Sequence, residues 1–415
     1  MAVTSTRLDV TSLRARFPAL ARTGPDGRPY VWADAPGGSQ MVDTAIAAIA
    51  DRIRAGASNT HGVFPLSEEI DALIDDARRA GADLLGCDPG EVIFGQNTTS
   101  LLLHLSRSIG RTWKPGDEVV VTRLDHDANI RPWVLAARDA GATIRWVDVV
   151  DAGGTIDLNS FDAQLRDRTK LVAFTLASNA LGTIPSAANL VARAKAKGAL
   201  VALDGVHLAQ HRSIDMHALG ADIVATSPYK YFGPHQGLLA VRASLLASLE
   251  PYKLDAAPDD DPDRWESGTQ NHEALAGTIA AIDYIAEVGG SGDRPAAIRA
   301  GYAAFEAHER TLARRFLDGV AAFPHVRVYG ITDPGRLDER TPTFAVRVGD
   351  EHPIDTCRRL AEHGIFTWDG HYYAIEVFAR LGLLDSGGAV RIGFCHYHTA
   401  EDVDRTLEGL AEPPR

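Results

Sequence analysis

The chain has 415 residues, 45% hydrophobic and 23% charged, with 38 glycines and 21 prolines. These proportions exclude collagen-like, low-complexity and wholly disordered chains, and the length allows one large α/β domain plus a smaller one. Lys and Arg total 42 against 55 Asp and Glu, a formal charge of −13, which is opposite to what a phosphate backbone attracts, so no nucleic-acid partner is expected.

In chain order, the first residues, Met1 to Arg7, lack the apolar run of a signal peptide, and no later stretch approaches the roughly 18 apolar residues of a membrane span. A cytoplasmic protein with no membrane partner is expected. From residue 92 to residue 242 short β-rich apolar runs recur at 92–94, 118–122, 143–149, 171–176, 200–203, 223–225 and 238–241. Helix-like stretches such as 101–110, 133–140 and 187–197 lie between most of them. Continuous apolar strands alternating with amphipathic helices predict a mainly parallel sheet covered on both faces, with ligands gathering at the carboxyl ends of the strands. Residues 255–263 are acidic and Pro-rich and read as a solvated loop without the Gly and Glu spacing of a calcium site. Helical regions follow at 273–288 and 299–323. Strands are then predicted at 326–329, 343–348, 365–368 and 390–394, with helices at 354–363 and 400–411, a smaller α+β unit.

Three strand ends carry the chemistry. The run at 200–203 leads into Asp204-Gly205-Val206-His207. The run at 223–225 leads into Thr226-Ser227-Pro228-Tyr229-Lys230-Tyr231-Phe232-Gly233-Pro234. The run at 92–94 leads into Gly95-Gln96-Asn97-Thr98-Thr99-Ser100 and opens a helix. A lysine just past a buried strand is readily deprotonated and suits a Schiff base with an aldehyde. An aspartate on a neighbouring strand end can hold the proton of a pyridinium ring, and hydroxyls with free N–H groups at a helix start bind phosphate. Each feature alone is commonplace: a strand-end lysine is often a surface residue and Asn-Thr-Thr often only an N-cap. Together they are what pyridoxal 5′-phosphate requires.

The ordered set resembles the class V aminotransferase family of fold-type I pyridoxal-phosphate enzymes, in its cysteine desulfurase-like branch. The resemblance runs from Trp32-Ala33-Asp34-Ala35-Pro36-Gly37-Gly38 and Ser67 through Asp125-His126-Asp127-Ala128-Asn129 and Ser178-Asn179-Ala180-Leu181-Gly182-Thr183 to Val390-Arg391-Ile392-Gly393-Phe394. It implies a large domain with a mainly parallel seven-stranded sheet and a smaller α+β C-terminal domain. The corresponding divisions are an N-terminal segment at 1–30 packing with the small domain, the cofactor-binding domain at 31–270 and the small domain at 271–415. It also implies roles. Lys230 would carry the cofactor and move the Cα proton, Asp204 would pair with the pyridine nitrogen, and His126 would stack on the ring. His207 stands where relatives usually have Gln near the ring oxygen. Thr98, Thr99, Ser227 and Tyr229 would hold the phosphate, and Thr269 would reach a neighbour's phosphate, which implies a homodimer. Asn179 and Arg391 would receive the substrate's α-carboxylate.

One departure stands out. Desulfurases use a mobile cysteine that attacks the substrate's sulfur. The matching segment is Trp368-Asp369-Gly370-His371-Tyr372-Tyr373-Ala374, with tyrosine at the cysteine position and Trp368 in place of an arginine. Tyrosine cannot carry a persulfide. The three cysteines, Cys87, Cys357 and Cys395, are far apart, so no disulfide framework is expected and the thiols suit a reducing compartment. Strand alternation puts Cys395 on the face of Arg391, and Cys395-His396-Tyr397-His398 lacks the further ligands a metal site needs, so no metal is expected. The leading expectation is a lyase acting on cysteine or an S-substituted cysteine, with His371, Tyr372 or Tyr373 acting as an acid or closing the pocket. A desulfurase using an unrecognised cysteine, an epimerase, an aminotransferase, a decarboxylating deaminase of a cysteine conjugate and a non-catalytic cofactor-binding protein remain alternatives.

Overall fold

The computed structural model describes residues 8–150 and 153–413; the expectation about Met1 to Arg7 therefore lies outside the described residues. Seven strands form the central sheet. From one edge to the other they are Val92–Gly95, Gly237–Val241, Ile223–Thr226, Leu200–Asp204, Thr169–Thr175, Glu118–Thr122 and Thr143–Val147. Only Gly237–Val241 runs against its neighbours; the other pairings are parallel. The carboxyl ends of the remaining strands therefore open on one side of the sheet.

Alternation along each strand explains the two-sided burial. Phe94, Val120, Val172, Val201, Leu203 and Val224 join one hydrophobic cluster, while Ile93, Val119, Val121, Leu171, Ala202 and Ile223 join another on the opposite face. Burying each Val, Leu, Ile or Phe contributes roughly 1.5–3 kcal/mol, and a strand apolar on both faces is stable only between two helical layers. One layer includes helices Thr98–Gly110 and Arg131–Ala140; the other includes Pro65–Leu85 and His272–Gly289. Helix Pro65–Leu85 begins on a proline, whose missing N–H costs nothing in the first turn, and stops at Gly86, which takes the left-handed conformation at φ 62°.

The second sheet has four antiparallel strands in the order Val326–Tyr329, Thr343–Val348, Ala389–Gly393, Trp368–Gly370. Phe316, Phe344, Leu360, Ile392 and Val403 form its core together with Val31 and Ala33 from the N-terminal part of the chain. The apolar run at 365–368 does not form the predicted strand. Ile365 bridges Val31 instead, with the Phe366 N–H donating to the Val31 carbonyl at 2.8 Å, and the strand begins at Trp368. A segment more than 300 positions away supplies the pairing for this run. Likewise the run at 143–149 divides into Thr143–Val147 and the two-residue strand Val149–Val150. Among the described residues no helix is long and apolar enough to cross a membrane.

Candidate active site

The carboxyl ends of the parallel strands and the edge of the small sheet enclose a cavity of about 360 Å³, a size typical of small-molecule sites. Strand Leu200–Asp204 delivers Asp204 to its floor; Asp204 Oδ1 accepts from the Val206 N–H at 2.9 Å. Strand Ile223–Thr226 is followed by a short 3₁₀ turn, Pro228–Lys230, that folds Lys230 back into the cavity, where its Nζ donates to the Pro36 carbonyl and lies 4.8 Å from the centre of the Tyr229 ring. At the end of strand Val92–Gly95, Asn97 caps helix Thr98–Gly110 by accepting from the Ser100 N–H at 2.9 Å. The first-turn N–H groups of such a helix have no intrahelical partner and favour an anion. The Thr98 hydroxyl donates to the Thr226 carbonyl at 2.6 Å and lies 2.5 Å from the Ser227 hydroxyl, tying the two strand ends together.

Burial sets the charge states. It lowers the Lys230 ammonium to about 7, with the nearby Arg391 charge adding to the effect, so a sizeable fraction of the amine is free at neutral pH. It raises Asp204 to about 6 and the neighbouring Asp125 to about 8. Asp125 is held by the Thr122 hydroxyl and by Asn129 Nδ2 at 2.7 Å. Burial also depresses His126 to about 3 and His207 well below the usual imidazole range, keeping both rings neutral.

The small sheet supplies the roof. Arg391, on strand Ala389–Gly393, pairs with Asp34 at 3.0 Å, donates to the Asn179 carbonyl at 3.4 Å and lies 4.7 Å over the Tyr372 ring. Tyr372 Oη donates to the Ala389 carbonyl, and Asn179 Nδ2 donates to the Tyr372 carbonyl at 2.9 Å. Tyr373 stacks on His126 with centroids 5.3 Å apart and planes at 17°.

Lys230, Asp204, His126, His207, Thr98, Thr99, Ser227, Tyr229, Asn179, Arg391 and Tyr373, drawn from distant parts of the sequence, all line this one cavity. One residue expected among them does not. His371 is exposed on the outer side of its turn, its Nδ1 accepting from the Tyr373 N–H at 3.2 Å; the turn that brings Tyr372 inward carries His371 away. Thr269, expected to reach a neighbour's cavity and not its own, is exposed on a second cleft of about 670 Å³ that it shares with Asn59, Thr60 and His61. The expectation for Cys395 also needs correction. The strand ends at Gly393, and Cys395 is 0% exposed within the main core, not in the cavity. His396 and His398 are engaged with the Tyr284 hydroxyl at 2.7 Å and the Trp32 carbonyl at 3.0 Å. Sequence reasoning gave no role to Asp34 or Asp125. Asp125 was visible as the first residue of the motif around His126; the Asp34–Arg391 pair spans 357 positions and has no local signal.

The residues present fit pyridoxal phosphate. His207 Nδ1, Asn179 Oδ1 and Arg391 Nε are buried without partners, although unpaired buried polar atoms are costly unless a ligand satisfies them. His207 Nε2 is meanwhile fixed 3.1 Å from the hydroxyls of both Thr341 and Thr343. A family model described as aminotransferase class-V matches residues 31–406. A probable cysteine desulfurase 2 of Mycobacterium leprae is 31% identical, over 99% of this chain and 98% of its own length. A probable cysteine desulfurase of Streptomyces coelicolor is 32% identical, over 97% and 96%. Among solved structures, an apo cysteine desulfurase from Thermococcus onnurineus superposes with a TM-score of 0.87 at 26% identity, covering 99% of this chain and 98% of that one. One from Escherichia coli gives 0.82 at 25% identity, covering 97% and 98%. With its fold-type I architecture and a lysine–aspartate cavity suited to pyridoxal phosphate, the chain belongs to the class-V aminotransferase family.

Proposed function

We propose that this protein is a pyridoxal-phosphate-dependent lyase that breaks the C–S bond of cysteine or of an S-substituted cysteine. The observation that carries the reading is a cavity that joins Lys230, Asp204 and Arg391 but is lined by no cysteine. When bound, pyridoxal phosphate supplies an aldehyde that takes up an amino group and a ring that withdraws electrons from the adjacent carbon. Asp204 would sustain that withdrawal by holding the ring nitrogen's proton, and the Thr98 helix terminus with Ser227 and Tyr229 would hold the phosphate. Arg391 and Asn179 would orient the α-carboxylate. Lys230, with its amine partly free at neutral pH, would take the Cα proton. The Cα–H electron pair would become the Cα=Cβ bond as the C–S pair leaves with sulfur, and Lys230 would return the proton to the thiolate. The products are a thiol and 2-aminoacrylate, which water converts to pyruvate and ammonia.

The names of the relatives favour desulfuration, which needs a thiolate that reaches the substrate. Burial pushes the Cys357 thiol up to about 12 and raises those of Cys87 and Cys395 as well, so none of the three is a ready nucleophile. Incubation should release pyruvate and thiol in equal amounts from S-alkyl cysteines, and pyruvate and sulfide from cysteine, with no protein persulfide. A persulfide on any of the three cysteines would establish the desulfurase, and clean transamination or racemisation would overturn both readings. We also propose a homodimer in which Thr269 reaches the neighbouring subunit's cavity: its cleft is open, and the adjoining loop leaves Val63 98% exposed. Light scattering that gave the mass of a single chain would remove this proposal.

A further inference from the structure

The roof of the cavity carries three aromatic side chains, Trp368, Tyr372 and Tyr373. Trp368 is the cross-strand partner of Arg391 in the antiparallel pair formed with Ala389–Gly393, so the two side chains leave the same face of the sheet, and both line the cavity. Beside them stand the Tyr372 ring beneath Arg391 and the Tyr373 ring against His126. Trp368 is 58% exposed and Tyr373 66% exposed, so two large ring faces border the mouth with little protein covering them. The backbone here is held against its preference. Tyr372 and Tyr373 have φ of 47° and 60° in succession, a region bulky residues avoid. The Asn179 amide on the Tyr372 carbonyl, and the Asp127 N–H on the Tyr373 carbonyl at 2.8 Å, fix that geometry. Such strain persists where surrounding structure imposes it and concentrates at ligand clamps. Asp34 lines the same cavity and pairs with Arg391 at 3.0 Å; with Arg391 given to the α-carboxylate and Lys230 on the floor, the lining holds no further Arg or Lys for a second anionic group.

We infer that this aromatic roof receives the substituent on the substrate's sulfur and selects an uncharged aromatic one. The inference rests on the C–S lyase reading. A flat ring gains both burial and offset or edge-on contact with Trp368 and Tyr373, whereas a methyl group fills little of the slot. A carboxylate substituent would lose water there without gaining a cation of its own.

The test uses the cofactor-loaded Lys230→Ala variant, which lacks the proton-moving amine and so reports affinity without turnover. Calorimetric titration compares S-benzyl-, S-methyl-, S-carboxymethyl- and S-(2-aminoethyl)-L-cysteine. S-Benzylcysteine should bind tightest, roughly tenfold more tightly than S-methylcysteine, and S-carboxymethylcysteine weakest. Adding Trp368→Ala should reduce the benzyl preference to about threefold or less, and adding Trp368→Phe should keep most of it. Equal affinities for the benzyl and methyl compounds, tightest binding of the aminoethyl compound, or a uniform loss for all four on Trp368→Ala would each overturn the inference. Those results would leave wild-type release of pyruvate from S-methylcysteine untouched, whereas failure of the wild type to cleave any S-substituted cysteine would sink the lyase reading itself.

Discussion

The floor and the roof of the cavity are built in different ways. The floor comes from strand ends of one sheet: Asp204 closes its strand, Ser227 and Thr98 follow theirs within a few residues, and the Thr98 and Ser227 hydroxyls are hydrogen-bonded to each other. The roof is assembled from segments far apart in the chain. Arg391 meets Asp34 and Asn179, Tyr372 meets Ala389, and Tyr373 meets His126. A floor fixed by the sheet can hold one invariant group, while a roof made of side chains on a smaller unit can change with the substrate. Chemistry should accordingly fail when the floor is altered, and selectivity when the roof is.

The sharpest break is at Lys230. Lys230→Ala should remove the visible absorption band of lysine-bound cofactor and lower turnover by roughly a thousandfold or more; retention of the band would exclude Lys230 from that role. Asp204→Ala, also on the floor, should weaken cofactor retention and slow exchange of the Cα proton with solvent by about a hundredfold, measured by dialysis and by NMR in deuterated water. Arg391→Ala tests the other side of the comparison. Loss of a charge-assisted contact to the carboxylate should raise KM by roughly 10- to 100-fold, with the absorption band of the resting enzyme unchanged. A band lost with Arg391 would mean that roof and floor are not separable.

A pH-dependent stability effect isolates the burial of the floor. Lys230 titrates near 7 in the folded, cofactor-free protein against a reference value of 10.5. Between those values the unfolded chain binds the extra proton, so this residue makes stability rise with pH across that window, and its buried charge costs most below pH 7. Lys230→Met should therefore stabilise the cofactor-free protein by about 1–3 kcal/mol at pH 6, with the gain fading towards pH 10; denaturant unfolding at the two pH values measures it. The smallest effect is expected at Tyr373. Tyr373→Gly removes the cost of φ 60°, about 1 kcal/mol, and gives up the stack on His126, so stability should change by less than about 1 kcal/mol while selectivity among S-substituents falls.

Much of the floor could be read from local pattern. Apolar runs ending in Asp204 and in Ser227-Pro228-Tyr229-Lys230 mark strand ends, and strand ends on one side of a parallel sheet gather ligands. The roof was legible only in part. Arg391 and Asn179 came through motif resemblance, but nothing near His371 in the sequence says that Tyr372 turns inward while His371 turns out, because that depends on two successive left-handed residues held by Asn179 and Asp127. Cys395 shows the same limit: alternation holds only while the strand lasts, and it ends two residues earlier.

By itself the sequence determined the periodicities that make a two-sided sheet, the absence of cysteine from the Trp368–Ala374 segment and the order of the lysine, aspartate and phosphate-binding motifs, because each follows from short-range geometry. Only the tertiary structure decided that Asp34 pairs with Arg391, that Asp125 lies near Asp204 in shared burial and that Trp368 stands beside Arg391 over the cavity. The Asp34–Arg391 contact joins positions 357 apart, and the energies of all three depend on burial and packing that no local stretch of chain can set.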